Sequence, residues 1–209
     1  MDLKKSLVFG IFMMATSTLN STVFVPANHR FIQYDGRWDF TDSLHPRHSW
    51  PGAAVSVDFI GTSIGVRLSD SINYYNVYID DTLVTVFHGS RSGETDYLLE
   101  QNLSGTRHRL RFSKRNIVFD AVFSFSGFLL DDGADLLPQP DPSPRRIEFI
   151  GDSFTAAESN EATVQQLAWE DRFPVTNIDR GFAALIARHF KADYHTTSSS
   201  VTWSVGRVR

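Results

Sequence analysis

The stretch "AAVSVDFIGTSIGVRLSD", Ala53 to Asp70, decides the fold. Val55, Val57 and Phe59 lie on one side of an alternating run, with Ser56 and Asp58 on the other. After Gly61 and Thr62 the alternation resumes with Ile64, Val66 and Leu68. A period of two marks a half-buried strand, because successive side chains of a strand point to opposite faces.

The pattern continues toward the C-terminus. "NYYNVYIDD" aligns Tyr75, Val77 and Ile79 and ends at Asp80-Asp81; "TLVTVFH" follows at once, so the two runs read as a hairpin. "TRHRLRFSKR" sets His108, Leu110 and Phe112 against Arg107, Arg109 and Arg111, which are expected to form the solvated face of a strand rather than a polyanion site. "NIVFDAVFSFSGFLL", Asn116 to Leu130, is apolar almost throughout, as in a strand buried on both faces. Short strands without helical segments from Phe31 to about Leu130 indicate a β-sandwich or jelly roll.

Composition sets outer limits. The 209 residues are 42% hydrophobic and 21% charged, ordinary globular material. A net charge of −4 argues against a nucleic-acid partner, which calls for a basic excess. With no cysteine, disulfides, zinc-thiolate sites and a cysteine nucleophile are excluded.

The N-terminus, "MDLKKSLVFGIFMMATSTLNS", has the layout of a secretory signal peptide: Lys4 and Lys5, an apolar run from Leu7 to Ala15, then small residues. The run is shorter than the roughly 20 residues that span a bilayer. A secreted or periplasmic protein is expected, with no membrane association after signal cleavage.

Past the β-region, "DDGADLLPQPDPSPRR" carries prolines at 138, 140, 142 and 144 and reads as a linker. Asp131, Asp132 and Asp135 lack Ca²⁺-loop spacing and read as a solvated turn. Beyond it the period changes. "RRIEFIG" is a strand; "NIDRGFAALIARHFKAD" is a helix with Phe182, Leu185, Ile186 and His189 on one face and Asn177 or Asp179 as N-cap; "ADYHTTSSS" is a second strand. Strand, helix, strand begins an α/β unit. The expected division is a signal peptide over 1–20, a β-domain over 28–132, a linker over 133–144 and an α/β segment over 145–209.

The first α/β strand runs into Gly151-Asp152-Ser153, where a helix is expected to begin. Ligands of α/β sheets bind at the carboxyl ends of strands. A serine there can present its hydroxyl to a cleft and offer its backbone N–H to an oxyanion. Gly151 would permit the tight turn, and Asp152 would hold the loop through backbone N–H groups.

The stretches "RWDFTDSL", "WPGAAVSVDFIGTSIGVRLSD", "NYYNVYIDD", "RIEFIGDSFTA" and "GFAALIARHFKADYH" resemble carbohydrate esterase family 2, a jelly roll followed by an SGNH (GDSL-type) hydrolase domain. The resemblance implies a β-sandwich N-terminal domain followed by the start of an α/β SGNH-hydrolase domain. It implies Ser153 as nucleophile and one oxyanion donor, no metal or organic cofactor, and acetylated polysaccharide or oligosaccharide such as xylan or glucomannan as substrate. The alternative is a non-catalytic carbohydrate-binding β-module with a vestigial hydrolase segment.

The chain departs from the family pattern in several places. Ala157 stands where a glycine is usual, and only Gly206 follows the second strand. Gly-x-Asn-Asp is absent, and so is a late Asp-x-x-His, which leaves the general base unknown. Asp42-Ser43-Leu44-His45 matches the latter by spelling only. His189 and His195 are weak substitutes for the base. An incomplete family member with impaired activity is therefore expected. "HPRH", His45 to His48, reads as a loop rather than a metal site, and Trp38, Trp50, Tyr74 and Tyr75 read as core packing before sugar stacking.

Overall fold

The computed structural model describes residues 22–118 and 122–198; the expected signal peptide and Gly206 lie outside them. Thr22–Pro26 (β1), Gln33–Asp35 (β2), Arg47–His48 (β3), Ala54–Ile60 (β4), Ser63–Asp70 (β5), Tyr74–Ile79 (β6), Thr82–His88 (β7), Arg91–Gln101 (β8), Arg107–Lys114 (β9), Phe123–Asp131 (β10) and Asp135–Leu137 (β11) build two antiparallel sheets. One runs β1-β10-β5-β8, with β3 beside the start of β10. The other runs β11-β4-β9-β6-β7, with β2 beside the start of β4.

β4 and β5 belong to opposite sheets, so their apolar faces meet. Val55, Val57, Phe59, Ile64, Val66 and Leu68 are each no more than 2% exposed, and each such burial contributes about 1.5–3 kcal/mol. Gly61-Thr62 makes the corner, held where the Asp131 carboxylate accepts the Thr62 and Ser63 N–H groups at 3.0 Å each. The β6–β7 hairpin turns through Asp80 (φ 50°) and Asp81 (φ 63°), the left-handed pair that a two-residue connection requires.

Three expectations need correction or extension. Among the described residues of the apolar run from Asn116, the strand begins at Phe123, and the Asn116 side chain accepts the Tyr74 N–H at 2.8 Å. Within β10, Gly127 sits at a register shift with φ +151°, and a Cβ there would lie 2.1 Å from the Val25 carbonyl oxygen. The expected linker begins with β11, since Leu136 is apolar enough to be buried against β4. Gln139 then fastens the chain, donating to the Phe31 and Ser56 carbonyls at 2.9 and 2.8 Å. Third, the arginines of β9 are solvent-facing as expected, with the Arg107 and Arg109 side chains 55% and 41% exposed, but they also carry ion pairs. Arg107 and Arg109 both bind the buried Asp58 of β4, Arg109 at 2.6 Å.

Beyond the prolines, Arg146–Gly151 (β12) pairs in parallel with Asp193–Ser198 (β13), with Phe182–Phe190 (α1) between them. Short 3-10 turns occupy Glu170–Arg172 and Ile178–Arg180. α1 is capped by Gly181 without a side-chain bond, not by Asn177 or Asp179. Those two residues face the sandwich instead. Asp179, 2% exposed, accepts from Asn76 at 2.8 Å, Tyr78 at 3.1 Å and Arg111 at 3.2 Å. Burial alone would raise its pKa; the Arg111 charge and these hydrogen bonds outweigh burial and hold it below the usual carboxylate range.

Arg115 is the second pin. It reaches the Thr176 carbonyl, the Asn76 side chain at 2.7 Å and Glu161 at 2.5 Å. The docking reverses the expected helix face. Ala183, Ala184 and Ala187 are buried, whereas Phe182, Leu185 and Ile186 are 45%, 54% and 38% exposed and His189 is also exposed. The helix lies against the Ile178–Arg180 turn and β13, with its small side chains inward.

Candidate active site around Ser153

Ser153 stands two residues past the end of β12, at the carboxyl rim of the parallel pair. Gly151 is needed there for space: a Cβ would lie 2.2 Å from the Thr155 hydroxyl oxygen. The Asp152 carboxylate accepts the Phe154 N–H at 3.0 Å, fixing the turn. Ala156 N–H returns to the Asp152 carbonyl at 3.0 Å and Glu158 N–H to the Ser153 carbonyl at 2.9 Å.

No helix grows from this turn, contrary to expectation. Ala157 and Ser159 have φ of 54° and 56°, left-handed values that interrupt a right-handed helix. Ala157 thus occupies, with an L side chain, a conformation that favours glycine. The helix-forming residues come later, in α1.

Among the described residues, neither the Ser153 hydroxyl nor its backbone N–H has a hydrogen-bond partner within the protein. The residue is half-buried and borders a cavity of about 610 Å³ shared with Phe154, Glu158, Val164, Leu167 and Arg172. Phe154 is 82% exposed. Glu158 pairs with Arg172 at 2.8 Å, and the Arg172 guanidinium lies 5.7 Å from the Trp169 ring centre. The arrangement offers a nucleophile type, an adjacent amide donor and room for an ester beside a wall of mixed polar and apolar side chains.

None of the histidines considered as base is brought to Ser153. His195 lies within β13, its Nε2 3.1 Å from Glu148. His189 packs edge-on against Phe190. Asp42 and His45 do meet, at 2.9 Å, but on an exposed loop of the sandwich. No cluster of metal-ligating side chains occurs among the described residues; His48 is buried and His45 exposed. Tyr75 is core, stacked 4.3 Å from Phe112, and Trp38 donates to the Asp35 carbonyl at 2.9 Å while packing on Tyr34 and His48. Tyr74 stacks on His88 at 4.2 Å, and Trp50 is half-buried. Sequence reasoning missed Asp179 and Arg111, whose partnership spans 68 positions. The signal available was an aspartate inside an apolar helical pattern.

Comparison with known proteins places these features in a family. Residues 34–140 match the model of the carbohydrate esterase 2 N-terminal domain. The chain is 33% identical over 153 residues to the acetylxylan esterase / glucomannan deacetylase of Cellvibrio japonicus. It is 30% identical over 174 residues to the cellulase/esterase CelE of Acetivibrio thermocellus. These alignments take in 73% and 83% of this chain but 41% and 20% of the relatives, so the chain spans less than half the length of either.

Among solved structures, a family two carbohydrate esterase from Clostridium thermocellum in complex with cellohexaose superposes with a TM-score of 0.73 at 30% identity. The match covers 81% of this chain and 51% of that one. A family two carbohydrate esterase from Cellvibrio japonicus, 19% identical, shares the fold with a TM-score of 0.76 over 86% of this chain and 53% of that one. The match to the family model, spanning half of the residues, settles the affiliation: the chain belongs to carbohydrate esterase family 2.

Proposed function

We propose that this chain is the nucleophile-bearing part of an exported serine esterase that removes acetyl groups from plant cell-wall polysaccharide, xylan or glucomannan. The α/β segment is read as the start of an SGNH hydrolase domain, joined to the β-domain by the proline-bearing stretch that follows β11. The observation that carries the reading is Ser153 itself, at the rim of a parallel strand, with hydroxyl and amide unengaged among the described residues, beside a cavity. In the chemistry proposed, the Ser153 hydroxyl attacks the acetyl carbonyl, a base accepts its proton and the Ser153 N–H steadies the oxyanion. Water then releases acetate from the acyl-serine. The substrate class follows the relatives' names, an acetylxylan esterase / glucomannan deacetylase among them.

A base must come within about 3 Å of the hydroxyl, and no histidine among the described residues does so. The 209-residue chain is therefore expected to hydrolyse aryl acetates slowly or not at all. Acetate release from acetylated xylan and glucomannan, measured for the native chain and Ser153→Ala, tests the reading. Any turnover that persists in Ser153→Ala removes Ser153 as nucleophile.

A further inference from the structure

A second cavity lies at the junction of sandwich and α/β segment, away from Ser153. It holds about 600 Å³, inside the range of small-molecule sites of about 300–1,000 Å³. Asp35, Tyr78 and Arg111 line it from the sandwich, Arg188, Asp193 and Tyr194 from the other side. A smaller recess of about 300 Å³ adjoins it and shares Asp35, Asp193 and Tyr194, so the two form one groove along the junction. Asp193 opens β13, whereas Ser153 follows the end of the parallel β12. Six residues of strand, at about 3.3 Å each, separate the two rims by roughly 17 Å.

The chemistry of the groove is one-sided. The guanidinium groups of the larger cavity already have protein acceptors: Arg111 binds the Asp179 carboxylate, Arg188 the Asp179 carbonyl at 2.6 Å, and Arg180 binds Glu161 at 3.1 Å, while Arg146 of the adjoining recess lends its charge to Asp35 and Asp193. The tyrosine hydroxyls donate to Asp179 as well. By contrast, the Asp35 carboxylate receives no hydrogen bond among the described residues. Burial, and the nearby Asp193 charge, raise its pKa against the opposing pull of Arg111. What is left over is a half-desolvated acceptor without a donor, facing open volume between tyrosine rings. Phosphate-bearing ligands are repelled by Asp35, Asp81 and Asp193, and no side-chain set for a metal ion is present among the described residues. A ligand rich in hydroxyl donors and without charge satisfies the groove.

We propose that this groove is a second carbohydrate-binding site, taking a neutral oligosaccharide chain through hydroxyl donation to Asp35 and Asp193, independently of Ser153. The proposal rests on the polysaccharide-directed reading above. It gives the chain a hold on its substrate polymer at the rim opposite the reacting ester.

Calorimetric titration of the 209-residue chain with unacetylated xylohexaose and cellohexaose tests it. One of the two is expected to bind, and the double variant Asp35→Asn, Asp193→Asn to lose at least tenfold in affinity. Ser153→Ala and Phe154→Ala should change it less than twofold. Ring-proton NMR shifts of Tyr78 and Tyr194 on titrating the native chain give a second readout that needs no variant. Absence of binding, undiminished binding by the double variant, loss of binding in Phe154→Ala, or preference for an amine-bearing hexasaccharide would each overturn the proposal. Ester hydrolysis plays no part in these measurements. Turnover that persists in Ser153→Ala in a chain that binds at Asp35 therefore counts against the esterase reading alone, and Ser153-dependent turnover in a chain that binds no sugar counts against the groove alone.

Discussion

Phe59 and Phe182 are the same residue in two kinds of setting. Phe59 is fully enclosed between the sheets of the sandwich; Phe182 is 45% exposed at the start of α1. The contrast extends to their surroundings. Val57, Leu110 and Phe128 have no exposure, while Ile150, Leu185 and Phe190 are 76%, 54% and 52% exposed. The sandwich closes its own apolar core. The α/β segment instead presents apolar surface outward and keeps its place through polar pins, Asp179 and Arg115, into the sandwich. One region is held by hydrophobic burial within itself, the other by directed hydrogen bonds to a neighbour together with one apolar anchor, Phe173, packed with Val118 and Phe123.

This contrast can be broken or sharpened by substitution. Phe59→Ala should have the largest effect, a loss of about 3–5 kcal/mol of sandwich stability, read from chemical denaturation; an unchanged midpoint would deny the sandwich its closed core. Asp179→Ala leaves Arg111 half-buried without its partner and removes the acceptor of Asn76 and Tyr78, at a cost of about 2–3 kcal/mol. The loss should be local. Limited proteolysis would cut between residues 145 and 198 while the sandwich persists, and simultaneous cleavage of both regions would show that they unfold as one.

Acid separates the two regions more gently. Asp35 and Asp193 have raised pKa values, mainly through burial, so their protonation relieves the junction as pH falls from neutral. Asp179 works in the opposite sense. Its folded pKa is depressed, so its contribution is complete above the unfolded value of about 3.9 and disappears as pH falls through the folded one. Calorimetry from pH 7 to 3 should show the α/β transition steady or slightly rising at first and collapsing below about pH 4, ahead of the sandwich. The smallest effect is expected at the outward helix face, where Leu185→Lys should change stability by no more than about 0.5 kcal/mol. A loss of several kcal/mol there would mean that this face is covered in solution.

What could be read from the sequence follows the same division. Alternation located β4, β5 and β6, and Asp80-Asp81 located the hairpin, because a strand's face and a two-residue turn are local properties. The strand before Gly151 and its parallel partner were legible for the same reason. The helix face was not. Phe182, Leu185 and Ile186 repeat as a core stripe does, yet the buried stripe is Ala183, Ala184 and Ala187. The helix packs against the Ile178–Arg180 turn and β13, and that turn is itself fixed by Arg111, Asn76 and Tyr78 more than 60 positions upstream, which no local period reports. At the candidate site, Gly151-Asp152-Ser153 stood out as a turn, but the interruption at Ala157 and Ser159 depends on backbone angles that the residue names disguise.

The Asp179 carboxylate gathers donors from β6, from β9 and from Tyr194. Its consequence is one of interchangeability. A recombinant in which the α/β segment is transplanted onto a foreign sandwich will misalign unless Asn76, Tyr78, Arg111 and Arg115 travel with it. For anyone building chimaeras, those four side chains form the socket, with Asp179 and Glu161 as its two plugs, and the crossover point should be chosen to keep them in one inheritance.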